Sequence, residues 1–399
     1  MPVDFQQIHA RIVQIAGREQ QRRADLAERK TRAITLLDTH AVNLEWLQAR
    51  VQTANATDSH IRCAVPVSES LTSSHPCPSL PENATVIAVD GSQINPDRHA
   101  GLQFAVINAG AVIVRLHSGE VSEICTDSEL LYGEDLETAS GMMSEGLVAL
   151  RRDAKERELL DELSSGVRGN VVTFTDGPLE MWSTEREDSR EFALFLEKYK
   201  GILSRLQGRG VVTAGYVDKP RADLVVQLLE LATMTDDQLK DRQTLRTHHP
   251  LHGVDDALLF RGESDVQPII AEGQRSAVFR LQSSSQDIYT GTLALHFFYL
   301  NVGSAGHPCL VRVEIPAWVA DDPAKLDLLH AVLVDQCGIM GSKPYPYLLH
   351  RAHETAVVRQ EEKAQVEQML MLELNRQGAA MQDKSNKQAA KDSGGRRSI

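Results

Sequence analysis

A chain of 399 residues is long enough to bury a large core, and its length leaves open either one elaborated domain or two. With 42% hydrophobic and 24% charged residues, the composition excludes a disordered or collagen-like chain. The net charge of −13 excludes a uniformly cationic surface, so any phosphate polymer must be met by local charge, bound cations or a cationic partner.

Residues 1–60 predict an N-terminal helical arm, with Ile8, Ile12, Ile15, Leu26, Ile34, Leu37, Leu44 and Leu47 set among Arg, Glu and Gln and no proline after Pro2. The opening stretch lacks the apolar core of a signal peptide, and no apolar run approaches the ~20 residues that cross a bilayer. The expectation is a cytoplasmic protein that engages no membrane. Five cysteines, scattered and never spaced as CxxC, argue against a disulfide framework or a zinc cage.

Residues 61–83 are expected as a linker, because Pro and Ser concentrate from 66 onward. Three strand-like segments follow, TVIAVDGS, LQFAVINAGAVIVRL and EVSEI, whose short connections predict an antiparallel meander. A helix is expected over about 140–164, with Leu147, Leu150, Leu160 and Leu163 at helical spacing. The run at 170–179 reads as a buried strand that turns at Asp176-Gly177-Pro178. Next come a strand in GRGVVTAGYVD, a helix near 220–233 and a polar, His-rich, loop-like stretch over 235–275. Two more strands lie in LALHFFYLNVG and CLVRVEIPAWV, followed by helices at 323–341 and 347–376. Residues 377–399 have few large apolar side chains and are expected as a disordered tail.

Asp90 ends an apolar strand and is followed by Gly-Ser, and Asp176 repeats the arrangement. Either dipeptide alone is a good turn former. Together, separated by a meander and a helix, they place two acids on strands that can be neighbours, the opening order of an RNase H-like fold. The fold class read from this order is α/β, a mixed sheet flanked by helices with an N-terminal helical arm. Grouped carboxylates suit hard cations such as Mg²⁺ or Mn²⁺. The intervening helix offers Glu156, Glu158, Asp161 and Glu162 as a third acid; Glu156 precedes Leu160 and Leu163 by four and seven residues and so lies on the apolar stripe. His248, His249 and His252 lie in a loop without Cys or an HExxH pattern. No GxxxxGK[ST], GxGxxG or GxSxG motif is present, which removes the usual nucleotide and acyl-transfer chemistries.

Taken in order, AVDGSQ (88–93), LRRDAKERELL (150–160), TFTDGPL (173–179), AGYVDKPRA (214–222), EGQRSAVF (272–279), HFFYLNVG (296–303), VRVEIPAWVA (311–320) and YPYLLHRAHE (345–354) resemble the NurA nuclease family over roughly 80–360. The resemblance implies a PIWI-related RNase H-like core filling 84–376, a homodimer, and Mn²⁺-dependent (or Mg²⁺-dependent) exonuclease and endonuclease activity on single- and double-stranded DNA. It also implies a partner, the hexameric ATPase HerA, in end resection during double-strand-break repair. It carries the family's catalytic and metal-binding acids to Asp90 and Asp176 and its late histidine to His353; the intervening glutamate falls on Glu156, with Glu158 and Glu162 still open. Arg275-Ser276 and Tyr345-Pro346 match family positions. Arg275, Lys219 and Arg221 are candidates for phosphate contacts. Two other readings compete: a non-catalytic DNA-clamping or motor-adaptor subunit, and an RNase H-like nuclease acting on RNA or an RNA–DNA hybrid.

Overall fold

The computed structural model describes residues 3–98, 100–138, 141–181 and 190–378. The chain opens with helices α1 (Phe5–Thr39) and α2 (Leu44–Thr57), then strands β1 (Cys63–Pro66) and β2 (Ser74–His75). The long strands β3 (Thr85–Ile94), β4 (Phe104–Arg115) and β5 (Glu123–Tyr132) follow, with a small hairpin, β6 (Glu137–Thr138) and β7 (Gly141–Met142). Next are α3 (Glu145–Ser165), β8 (Val171–Asp176), α4 (Arg190–Gly208), β9 (Val212–Val217) and α5 (Leu224–Thr233), then the short helices α6 (Asp236–Leu239), α7 (Arg242–Thr247) and α8 (Asp256–Phe260). The remainder holds β10 (Arg275–Ser276), β11 (Phe279–Gln282), β12 (Leu295–Asn301), β13 (Leu310–Pro316), α9 (Ala317–Ala320), α10 (Pro323–Ile339), α11 (Tyr347–Ala356) and α12 (Gln360–Arg376).

Two compact units emerge, one of Met1–Ser79 with Gly215–Pro344 and one of Leu80–Ala214 with Tyr345–Ile399. In the second unit, β3 pairs in parallel with β8 and antiparallel with β4, which pairs antiparallel with β5. Ten consecutive residues of β4 are buried, so helices must cover both of its faces. Helices α3 and α11 both pack on β3 and β4. A side chain at Gly91 would point into α3, whereas one at Gly110, the register partner of Asp90, would point into the backbone of α11. Adjacent strand residues face opposite ways, so the two helices cover opposite faces. The order strand, strand, strand, helix, strand is the RNase H-like order expected from the sequence.

The first unit is built on antiparallel strands in the order β1, β11, β12, β13, with residues 215–217 of β9 beside β13. Helices α2 and α5 pack on β1, all four residues of which are buried. Residues 61–83, expected as a linker, therefore contain a core strand; alternation is invisible in a strand of four buried residues. The stretch expected as mostly loop over 235–275 carries α6, α7 and α8, whose N-termini are capped by Thr235, Asp241 and Asp255.

Two further differences have local causes. Helix α4 has no counterpart in the expected elements, although Phe192, Leu196, Tyr199, Leu203 and Leu206 form its buried stripe. The helix expected over 347–376 is broken after Ala356. The Ala356 carbonyl accepts from Ser92 Oγ at 2.5 Å and Asn108 Nδ2 at 2.7 Å, taking the place of a continuing helical bond. A new helix, α12, starts at Gln360 with Glu362 accepting from the Arg359 N–H. The tail expected over 377–399 lies outside the described residues from 379 onward.

Candidate active site

Asp90 and Asp176 occupy the same level on adjacent parallel strands: the ladder pairs Val89 with Thr175, and each aspartate is the next residue. Parallel neighbours lie ~4.8 Å apart, so both carboxylates leave the sheet from one face at one edge. Asp90 is mostly buried, at 15% side-chain exposure, whereas Asp176 is exposed at the end of β8.

Helix α11 adds the histidine. Because Gly110 has no Cβ, α11 approaches β4 until the backbone of Ala352, Thr355 and Ala356 lies 2.6–2.9 Å from where that atom would stand. Leu348, Leu349, Ala352 and Ala356 are buried on the same helix and fix its rotation. One turn before Ala356, His353 projects over Asp90, and its Nδ1 lies 2.7 Å from Asp90 Oδ2. Nδ1–H donates to the carboxylate, which leaves Nε2 as an outward acceptor on a side chain 61% exposed. Ser92 closes the arrangement by also accepting from Val358 N at 3.1 Å.

Glu156 lies on the α3 face of the sheet, against Gly91, close enough to Asp90 for the two charges to be felt. A Cβ at residue 91 would stand 2.5 Å from Glu156 Oε1 and 2.7 Å from Arg152 Cγ. The glutamate is 3% exposed and lies between two guanidinium groups, with Arg157 Nη1 at 2.7 Å and Arg152 Nε at 3.4 Å. Burial pushes its carboxyl up to about 8; the arginines oppose that rise, and the charges of Asp153 and Asp90 add to it. Arg157 also donates to the Pro178 carbonyl at 3.2 Å, tying α3 to the turn after Asp176.

The other acids of α3 are engaged elsewhere. Glu158 pairs with Lys198 at 2.5 Å, Asp161 with Arg205 and Arg209 at 2.6 and 2.5 Å, and Glu162 is exposed. Of the three expected phosphate contacts, Arg275 requires correction. It is 5% exposed and its guanidinium is bound by both Glu69 oxygens at 3.0 Å, which makes it a buried, paired cation rather than a surface contact. Lys219 and Arg221 are exposed in the β9–α5 loop of the first unit. His249 is held by Glu230 at 3.0 Å, in keeping with a structural role. Sequence reasoning missed Ser92, Asn108, Gly110, Arg152 and Arg157; the AVDGSQ and LRRDAKERELL segments contain three of them but give no sign of their partners.

Among the described residues, no group of three or more His, Cys, Asp or Glu side chains is gathered at metal-holding spacing. The donor chemistry nevertheless fits a hard cation. Two register-matched carboxylates stand where the β3–β8 ladder ends, and carboxylate oxygens are the donors such ions take.

The fold defines a class, the RNase H-like proteins. A family model for the NurA domain matches residues 84–358, and the chain belongs to the NurA family. Among solved structures, the NurA nuclease from Sulfolobus solfataricus is similar over 93% of this chain and 98% of its own, at 13% identity and a TM-score of 0.50. The catalytic domain of human Endonuclease V aligns over 82% of this chain and 98% of its own, at 12% identity and a TM-score of 0.32. Drosophila Piwi aligns over 68% of this chain and 29% of its own, at 13% identity and a TM-score of 0.29. No curated protein matches the chain. No helix among the described residues is long and apolar enough to cross a membrane.

Proposed function

We propose that this chain is a divalent-metal-dependent deoxyribonuclease, acting as exonuclease and endonuclease on single- and double-stranded DNA. The observation that carries the reading is the placement of Asp90 and Asp176 at one level on adjacent parallel strands, with His353 bonded to Asp90 and Glu156 packed against the neighbouring Gly91. Asp90, Glu156, Asp176 and His353 would hold Mn²⁺ or Mg²⁺. Such an ion supplies polarisation of the scissile phosphodiester and activation of a water.

The chain's own residues orient the rest. Asp90 accepts the Nδ1 proton of His353, so Nε2 is the ring atom left to face the ion. Arg152, within reach of Glu156 and 32% exposed, offers a cation beside the carboxylates. Lys219 and Arg221 remain candidates for phosphate contacts on the first unit. We further propose a homodimer that works in the cytoplasm with a HerA-type hexameric ATPase in end resection and double-strand-break repair.

Cleavage of end-labelled DNA, RNA and RNA–DNA hybrid by purified protein, with Mn²⁺, Mg²⁺ or EDTA, tests this. Degradation of DNA that needs metal is expected. Degradation of RNA or hybrid alone would replace the substrate assignment, and inertness with the cognate ATPase present would favour a DNA-clamping adaptor.

A further inference from the structure

The first unit carries a groove that the proposed nuclease chemistry leaves unused. Its floor is set by strand register: Arg280 of β11 stands opposite Val65 of β1 and opposite His296 of β12, so the three side chains rise from one face. Gln282, two residues on, shares that face. Helix α2 packs along β1 and contributes Gln48, Gln52 and Asn55, whose spacing of four and three residues puts them on one stripe. Two cavities of about 390 and 340 Å³ adjoin here and share Arg280 and Gln286 in their walls. Ser283, Ser285 and Thr290 line the second. Each is of a size that holds a small polar ligand.

Arg280 has no partner of its own. It is half-buried and makes no side-chain hydrogen bond or ion pair among the described residues. By contrast, the buried Arg50, Arg157, Arg275 and Arg312 are paired with Asp236, Glu156, Glu69 and Glu314. Asp287 lines the second cavity but is exposed and forms no ion pair with Arg280. Burial, with the Arg280 charge adding to it, keeps the His296 pKa below the ordinary histidine value, so Arg280 is the groove's cation at neutral pH.

A partly desolvated guanidinium without a counter-ion calls for an anion. Around it, hydroxyls and amides are the side chains that complete contacts to phosphate and sugar. Tyr289 is 3% exposed, so the groove offers no open ring for base stacking.

We infer that this groove binds the phosphate backbone of a single nucleic-acid strand, with Arg280 as its anchor, separately from the Asp90 carboxylates. The site tolerates any sequence, because what it reads is backbone. It stands apart from the nuclease reading, since binding is measured without cleavage.

The test is fluorescence anisotropy of a labelled oligo(dT) with the full-length chain in EDTA over a salt series, for wild type, Arg280→Ala, Arg280→Lys and Gln286→Ala. Arg280→Ala is expected to weaken binding about tenfold or more and to lower the salt slope by about one, with Arg280→Lys recovering part of the loss. Gln286→Ala, in a surface loop, is expected to weaken binding about threefold with an unchanged melting temperature, which separates ligand contact from misfolding. Wild-type affinity in both the Arg280→Ala and Gln286→Ala proteins would overturn the inference. So would competition by inorganic phosphate as effective, phosphate for phosphate, as competition by unlabelled strand, which would make the groove a free-phosphate site.

Discussion

A methyl group at residue 91 would stand 2.5 Å from Glu156 Oε1, the mobile end of a side chain, but also 2.7 Å from Arg152 Cγ, which has far less freedom to move. Gly91→Ala is therefore expected to displace the third carboxyl and lower cleavage by about a hundredfold, because misplacements of ~1 Å cost that much. The melting temperature should change by only ~2–4 °C, as β3 itself is undisturbed. Equal losses of activity and stability, or no loss of either, would count against Glu156 as part of the site. A second residue-scale effect concerns His330, which is fully buried, with Nε2 2.8 Å from the Gly273 carbonyl and no partner for Nδ1. Burial lowers its pKa from 6.5 to about 4, so the unfolded chain takes up this proton first. Its contribution to stability is complete above pH 6.5 and is lost as pH falls toward 4, about 3 kcal/mol over that range. Denaturant titrations from pH 7 to 4.5 should show this decline, and His330→Gln should flatten it. Asp90, Asp176 and Glu156 were singled out in the sequence by local rules, an Asp-Gly pair after an apolar run or an apolar helical stripe; at Asp90 the rule misjudged the strand end, since β3 continues to Ile94. His353 stood out only with His350 and Glu354 near a helix start, and a helical histidine is more often a packing residue; the family resemblance is what singled it out. Arg275 was misread because nothing near it in sequence announces Glu69, its partner 206 residues away.

At the scale of elements, the docking of α11 decides where His353 stands. A Cβ at Gly110 would meet backbone atoms of Ala356, Ala352 and Thr355 at 2.6–2.9 Å, and backbone yields less readily than a side-chain tip. Gly110→Ala is expected to cost about 1–3 kcal/mol by overpacking and to reduce cleavage as well, because the histidine moves with its helix. Leu349→Ala, which opens a cavity at a fully buried position, is expected to cost about 2–5 kcal/mol in chemical denaturation. Ser92→Ala removes one of two donors to the Ala356 carbonyl and the acceptor of Val358 N; about 1 kcal/mol is expected, with Asn108 still in place. β3 and β4 were legible as long apolar runs, whereas β5, expected at EVSEI, runs over Glu123–Tyr132, because its mostly exposed, polar sequence gives no apolar run to mark it. The break after Ala356 was not legible, because Val357 and Val358 carry no stop signal and the capping donors come from β3 and β4, more than 240 residues earlier. β1 was hidden because four residues beside a Pro- and Ser-rich stretch are too few to show a strand pattern.

At the scale of the whole molecule, the charge of −13 and the grouped carboxylates have one reading in common: the protein meets a polyanion through cations it binds and through a few placed arginines. The proposed catalytic side chains Asp90, Glu156, Asp176 and His353 all belong to one unit, whereas Arg280, Lys219 and Arg221 belong to the other. Cleavage should therefore respond to metal and to the first set, while strand affinity in EDTA should respond to salt and to the second. The measurement that bears most directly on the account is the rate of DNA cleavage by wild type and Asp90→Ala, with Mn²⁺ and with EDTA. The account predicts cleavage by wild type with metal, none in EDTA, and a loss of about a thousandfold or more in the variant, since ablating a catalytic group typically costs that much. Cleavage that persists in EDTA, or an Asp90→Ala protein as active as wild type, would contradict it.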